Sequence, residues 1–262
     1  MISRLASKGE LRTALRLPWR LWTVPLVFFV TYGLVWPWAL ALSTPREVVA
    51  INLLNYLWPI LTVVFSACFV PGVQLTWRTM AALCLAMAGL CAANYSGLRQ
   101  LCSAHWAKNA SAVTDVLPYL LALLAAVTWA AYSAVLVRWR SWAREYVTSP
   151  LGFLIIGVVA AVFSLSSPGG NKALTPAAMF FTLLYGAGPL AAGYLLWELA
   201  LPKARVQTLS LVAAATPVLS TLWLCCFLRQ LPGPEIITAA LLVAGGILVS
   251  ARGKESGGGS LT

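Results

Sequence analysis

The sequence predicts an all-α fold, a polytopic membrane helix bundle of eight transmembrane helices, and three observations carry that prediction. Of the 262 residues 60% are hydrophobic and 10% charged, against about 25% charged in an ordinary soluble domain. The apolar residues fall into eight long runs, each close to the roughly 20 residues that cross a bilayer with every backbone N–H and C=O paired inside its own helix. The Lys and Arg residues, finally, are shared unequally between alternate loops. A soluble helical bundle would need helices with charged outer faces, and these runs carry none.

The runs cover about 22–43, 48–69, 77–95, 117–137, 146–167, 178–201, 207–228 and 234–251. Their only charged residues are Arg78, Glu198 and Glu235, the first and last at the mouths of their segments. Ahead of them lies a basic amphipathic stretch with Arg4, Lys8, Arg12, Arg16 and Arg20. It lacks the short apolar core and small-residue cleavage site of a signal peptide. With the N-terminus placed in the cytoplasm, 13 of the 18 Lys and Arg fall on the inner side. Arg46, Arg99, Lys108, Lys172 and Arg229 fall outside. This is the positive-inside pattern, and it places both termini in the cytoplasm. It also accounts for the net charge of +11 as membrane topology, with no nucleic acid as partner.

Cofactor chemistry finds no support. The six cysteines form no CxxC pair and the single histidine, His105, sits in a loop, so ligands for a metal are lacking. No Gly-rich nucleotide loop is present. The expected partners are the lipid bilayer and a small molecule.

An internal repeat organises the chain. Pro59, Cys68-Phe69, Pro71-Gly72 and Met87-Ala88-Gly89 are echoed by Pro217, Cys226-Phe227, Pro232-Gly233 and Val243-Ala244-Gly245, with an offset between 156 and 161 residues. The second and seventh runs are thereby equivalent and five crossings apart. An odd number of crossings inverts orientation, which is the repeat type of many secondary carriers, with the substrate site between the halves near the midplane. The expected organisation is a first repeat over residues 1–116 with three spans, a second over 117–251 with five, and a tail over 252–262. By symmetry two helices are expected ahead of residue 22.

Helical spacing sets residues i, i+3, i+4 and i+7 on one face. On the second run this gathers Asn52, Asn55, Tyr56, Pro59 and Thr62. In lipid such a stripe must face protein or water. It reads either as a cavity wall, in which Asn55 meets an amino acid headgroup and Pro59 loosens the helix, or as hydrogen-bonding glue between helices. Tyr32 and Trp36 share a face of the first run, Trp129, Tyr132 and Ser133 one of the fourth, and Tyr194, Trp197 and Glu198 one of the sixth. These rings suit stacking on an aromatic substrate, with Trp58 and Trp129 the leading candidates. An interfacial belt is the competing reading. Trp36, Trp38, Trp139, Trp142 and Trp223 fit that belt or plain packing.

Glu198 is the acid set well inside a run, where a charge is costly and generally functional. It reads as a binder of a substrate ammonium or a proton, or as an ion-pair partner of Lys203 or Arg205. Thr216 and Ser220 lie beside Pro217 with hydroxyls for a freed carbonyl or the substrate, and Gly186, Gly188 and Pro189 read either as a break in the sixth run or as small residues for close helix packing.

Asn55-Tyr56-Leu57-Trp58-Pro59, Trp129-Ala130-Ala131-Tyr132, Trp197-Glu198 and Thr216-Pro217-Val218-Leu219-Ser220 resemble segments of the bacterial aromatic amino acid exporters, in the ten-helix drug/metabolite transporter superfamily with its two EamA-type repeats. The likeness runs in matching order over nearly all of residues 22–251. It implies a carrier of the bacterial inner membrane that exports aromatic or other hydrophobic amino acids through a central cavity. It also implies that the family's first two helices are absent. Glu198 departs from the neutral or shorter polar residue that such exporters often carry there.

Three function classes follow: a secondary carrier working by alternating access, a membrane enzyme, and a truncated, non-transporting remnant or fragment of such a carrier. An enzyme would need a convergent set of catalytic groups, which one buried acid and one loop histidine do not supply. The expected function is therefore transport.

Overall fold

The computed structural model describes residues 19–44, 47–95, 99, 116–143, 146–166, 175–227, 229 and 231–252. The readings made for Arg4, Lys8, Arg12, Arg16, His105 and the tail beyond residue 252 lie outside these residues.

The described chain is helical throughout, without a strand among the described residues. Its helices are α1 (Trp19–Ala41), α2 (Val48–Asn55), α3 (Trp58–Phe69), α4 (Trp77–Ala93), α5 (Leu117–Arg138), the single turn α6 (Arg140–Ala143), α7 (Ser149–Ser166), α8 (Pro176–Tyr185), α9 (Ala191–Ala200), α10 (Val206–Phe227) and α11 (Pro234–Arg252). Five apolar stretches are long enough to cross a membrane: Trp19–Ala41, Val48–Phe69, Leu117–Arg138, Met179–Ala200 and Val206–Phe227. Trp77–Ala93, Ser149–Ser164 and Pro234–Val249 are apolar but shorter.

Two of these stretches are interrupted where the sequence places prolines. Between α2 and α3 the backbone tightens at Tyr56–Leu57, with the Leu57 N–H bonded to the Leu54 carbonyl three residues back at 3.1 Å. Pro59, in the first turn of α3, has no N–H to return to the Asn55 carbonyl. Between α8 and α9 the turn Gly186–Leu190 is π-helical and contains Pro189. Such wider turns commonly mark functional positions. The link from α3 to α4 is a tight turn in which the Val73 N–H meets the Val70 carbonyl at 3.3 Å. Pro71 and Gly72 fill its centre, and Gly72 adopts φ 79°, the left-handed conformation that a type II turn requires at its third position. Thr76 then caps α4, its hydroxyl accepting the Thr79 N–H at 3.2 Å.

Two packed groups make up the bundle. In one, α5 lies among α1, α2 and α3, with α7 against α1. In the other, α4, α10 and α11 pack together, and α3 joins the groups by touching both α5 and α10. Many large apolar side chains, including Phe180, Phe181, Trp223 and Phe227, are exposed. That suits surfaces solvated by lipid rather than water.

The α4–α11 seam runs antiparallel and is set by glycine. A methyl group on Gly89 would stand 2.9 Å from the Ala239 carbonyl oxygen, and one on Gly246 would stand 2.7 Å from that of Ala82. No side chain fits, so the backbones touch directly, as in small-residue seams of membrane helices. Gly246→Leu is expected to force the seam apart and lower stability by about 3 kcal/mol or more, the upper range for overpacking. Gly245→Ala, where nothing lies within 4 Å, should leave the thermal midpoint in detergent unchanged. Thermal unfolding of both variants measures the difference.

Candidate functional site

The aromatic residues on α1, α5 and α9 meet at one place. Trp129 of α5 lies 4.9 Å from Tyr32 and 4.9 Å from Tyr194, centroid to centroid. Trp58, at the start of α3, sits edge-on to Trp197 at 5.0 Å and to Trp129 at 6.1 Å. Such geometries contribute about 0.5–1.5 kcal/mol per pair beyond burial. Tyr32, Trp58, Trp129, Tyr132, Tyr194 and Trp197 therefore form one cluster, drawn from four separate helices.

Phe29 is a member that helical spacing did not single out. It is 1% exposed and touches the rings of Tyr132, Phe153 and Tyr194 at 5.5, 5.2 and 5.5 Å. α7 approaches it so closely that a methyl on Gly152 would stand 2.3 Å from the Phe29 ring. Tyr32, one turn away, was the only signal for this face, because a phenylalanine in an apolar helix is indistinguishable from a lipid-facing one.

At the edge of the cluster Asn55 is buried, with its side-chain oxygen lacking a partner among the described residues. The Tyr32 hydroxyl is within hydrogen-bonding reach of both Asn55 and Tyr194. Further along the same face Thr62 and Ser66 are fully buried, and their hydroxyls too have no partner among the described residues. Interhelical hydrogen bonding of Thr62 is therefore absent among the described residues. The stripe is polar, and three of its side-chain oxygens lack partners among the described residues.

Among the described residues the cluster is tightly packed. The rings pack on one another, and the void beside Tyr56 and Pro59 measures about 10 Å³, room for a single water. Trp142 lies in the same apolar core, with its ring packed on Trp22 and Tyr146 at 5.5 and 5.9 Å.

Glu198 is buried completely, and its carboxylate is occupied. One oxygen accepts the Thr148 N–H and, at 2.6 Å, the Thr148 hydroxyl; the other accepts the Ser149 N–H at 3.0 Å. Thr148 and Ser149 open α7, where backbone N–H groups lack intrahelical acceptors and the helix dipole favours an anion. The Thr148 hydroxyl proton goes to Glu198, so the Tyr132 hydroxyl donates to Thr148 at 3.1 Å. Lys203 and Arg205 are exposed, and no ion pair joins either to Glu198 among the described residues. In place of the ion pair, one of the two readings of Glu198, the structure shows a capping contact 50 residues away in sequence. The helix of the fifth run starts at Ser149 rather than 146, with Pro150 in its first turn, where its missing N–H costs nothing. Beside this contact the Trp197 indole N–H donates to the Ser133 hydroxyl at 3.1 Å.

Thr216 does not join the cluster. It is exposed, and its hydroxyl points back to the Val212 carbonyl at 3.5 Å. Ser220 likewise bonds the Pro217 carbonyl at 2.9 Å.

Residues 116–252, a little over half of the chain, match the EamA-like transporter family. The chain belongs to this family. The match to the EamA-like transporter family takes in Trp129, Tyr132, Tyr194, Trp197, Glu198 and Thr216, while Tyr32, Asn55, Tyr56, Trp58 and Pro59 precede it. Among characterised relatives, the aromatic amino acid exporter YddG of Ancylobacter novellus is 29% identical over 252 residues, covering 93% of this chain and 80% of that protein. The exporter of the same name from Escherichia coli K12 is 26% identical over 227 residues, covering 85% of this chain and 74% of its own. A crystal structure at 27% identity superposes with a TM-score of 0.74, covering 96% of this chain and 83% of the other. With its apolar helices, membership of the EamA-like transporter family makes this a multi-pass membrane protein of the transporter class.

Proposed function

We propose that this EamA-family protein is a secondary transporter of the bacterial inner membrane that exports aromatic or other hydrophobic amino acids by alternating access. The observation that carries the reading is the aromatic cluster with the unsatisfied oxygen of Asn55 at its edge. Aromatic walls suit an aromatic or aliphatic side chain, and an amide oxygen suits an ammonium group. The names of the relatives agree with it. Tyr32, Asn55, Trp58, Trp129, Tyr194 and Trp197 would contact the substrate, and Tyr56 and Pro59 would supply the hinge. Tyr132 and Glu198 act as supports, and Thr216 has no part in the contact set.

In this reading all eight apolar segments cross the membrane, with both termini cytoplasmic, as a three-plus-five inverted repeat divided near residue 117. Packing supports the repeat: the helices paired by sequence, α3 with α10 and α4 with α11, lie against each other. The two close approaches at Gly89–Ala239 and Gly246–Ala82 exchange under one offset of 157 residues, as a twofold axis demands. The offset makes Gly246 the counterpart of Gly89, one residue beyond the alignment at Gly245.

Transport is tested by counterflow in proteoliposomes loaded with tryptophan, phenylalanine, leucine or glycine. Exchange of the first three and not of glycine is expected. Asn55→Leu, which removes the polar group while filling its volume, should raise the KM for tryptophan about tenfold, the loss of one hydrogen bond to a charged group. Failure of all hydrophobic amino acids to exchange would sink the proposal.

A further inference from the structure

A separate cavity lies away from the aromatic cluster. It lies at the end of the bundle that the charge bias assigns to the cytoplasm, and holds about 440 Å³. Three arginines from three different segments line it: Arg78 in the first turn of α4, Arg140 in α6 and Arg205 just before α10. None of the described lining residues is acidic. Thr79 of α4 and Gln207 and Thr208 of α10 also face it, so two long helices present their N-terminal ends there. Their dipoles add to the same sign of potential. Gln207 closes one side by donating to the Gln74 carbonyl at 3.3 Å.

A second feature connects this pocket to the aromatic cluster. Val73 and Val206 line the cavity and also pack into the aromatic core. One helical turn deeper, Ser210 on α10 and Ser66 on α3 are fully buried with hydroxyls that lack partners among the described residues. Val73 and Val206 thus form an apolar floor shared by the basic chamber and the cluster.

We propose that this chamber is a carboxylate-binding vestibule, in which Arg140 and Arg205 hold the carboxylate of an amino acid before it passes the valine floor. The assignment rests on the transport reading above and adds to it a second, anion-selective site. Arginine suits a planar carboxylate through paired N–H donors. Its placement above the aromatic floor, rather than on a lipid-facing flank, favours a passing solute over a lipid phosphate. Selectivity is divided: the vestibule reads the carboxylate, the aromatic cluster the side chain.

The test uses inside-out membrane vesicles holding the full chain, which expose this face, and follows uptake of tritiated tryptophan. Arg140→Gln and Arg205→Gln are each expected to raise the KM about tenfold with kcat held. Indole-3-acetate should lose potency as an inhibitor by a similar factor, whereas tryptamine, the same ring without a carboxylate, should not. Arg205→Lys, which keeps the charge without the paired donors, should recover only part of the loss, and raising salt from about 0.05 to 0.5 M should raise the wild-type KM more than that of the double variant. Equal loss for carboxylate and amine ligands, or no loss, overturns the assignment. So does an effect that is present in phosphatidylglycerol proteoliposomes and disappears in pure phosphatidylcholine, which would mark a lipid headgroup site. If wild-type vesicles take up no amino acid, the transport reading fails separately. The vestibule is then decided by equilibrium binding of indole-3-acetate to the purified chain: binding abolished in the double variant sustains it, and absence of binding by the wild type refutes it.

Discussion

Replacing Glu198 with alanine is expected to be the most damaging single change in the molecule. It would strand the N–H groups of Thr148 and Ser149 and the Thr148 hydroxyl in a fully buried site. Each unsatisfied group costs about 1–3 kcal/mol, so a loss of at least about 3 kcal/mol follows. In a bilayer no water can take the acceptor's place. Thermal unfolding of the detergent-solubilised protein should show a large drop for Glu198→Ala and a smaller one for Glu198→Gln, whose one remaining oxygen still serves Thr148. The structural assignment also predicts that Glu198→Gln leaves the pH profile of transport between 5.5 and 8.5, per folded molecule, as in the wild type. A flattened profile in a well-folded Gln variant would instead return Glu198 to the substrate or proton path.

The second large effect concerns Trp129. Its ring touches Tyr32, Trp58, Tyr132 and Tyr194, and it is 6% exposed. Trp129→Ala removes the centre of the cluster, with a stability cost of about 3–5 kcal/mol. If the cluster also recognises the substrate, tryptophan exchange should fall by about tenfold more than leucine exchange, because the lost ring contacts serve aromatic ligands in particular. Trp129→Phe should keep the fold and most of the preference. Parallel counterflow of tritiated tryptophan and leucine separates the roles, and an equal fall for both would leave Trp129 with packing alone.

How much of this was legible beforehand depended on how local each feature is. Pro59 and the Gly186–Pro189 segment were marked as interruptions by residue chemistry, and the backbone does tighten at Tyr56–Leu57 and widen at Gly186–Leu190. Helical periodicity grouped Tyr32, Trp129 and Tyr194 each with other aromatic residues on one face of its helix. It could not tell Phe29 or Phe153 from lipid-facing residues of the same type, because both surroundings are apolar. Thr216 illustrates the converse. Its position beside Pro217 gave a sound local hydrogen bond to Val212, but the direction in which that turn of α10 faces depends on its neighbours.

By itself, the sequence determined where the apolar helices lie, where they break and which family the chain belongs to. In lipid a helix must satisfy its own backbone, so its existence is written in its own residues. Only the tertiary structure decided that Glu198 caps α7 rather than pairing with Lys203 or Arg205, that Phe29 occupies the heart of the aromatic cluster, and that Arg78, Arg140 and Arg205 share one chamber. Each of these unites residues from separate helices, and which faces meet is settled by side-chain packing between helices, for which no periodicity along a single chain carries a signal.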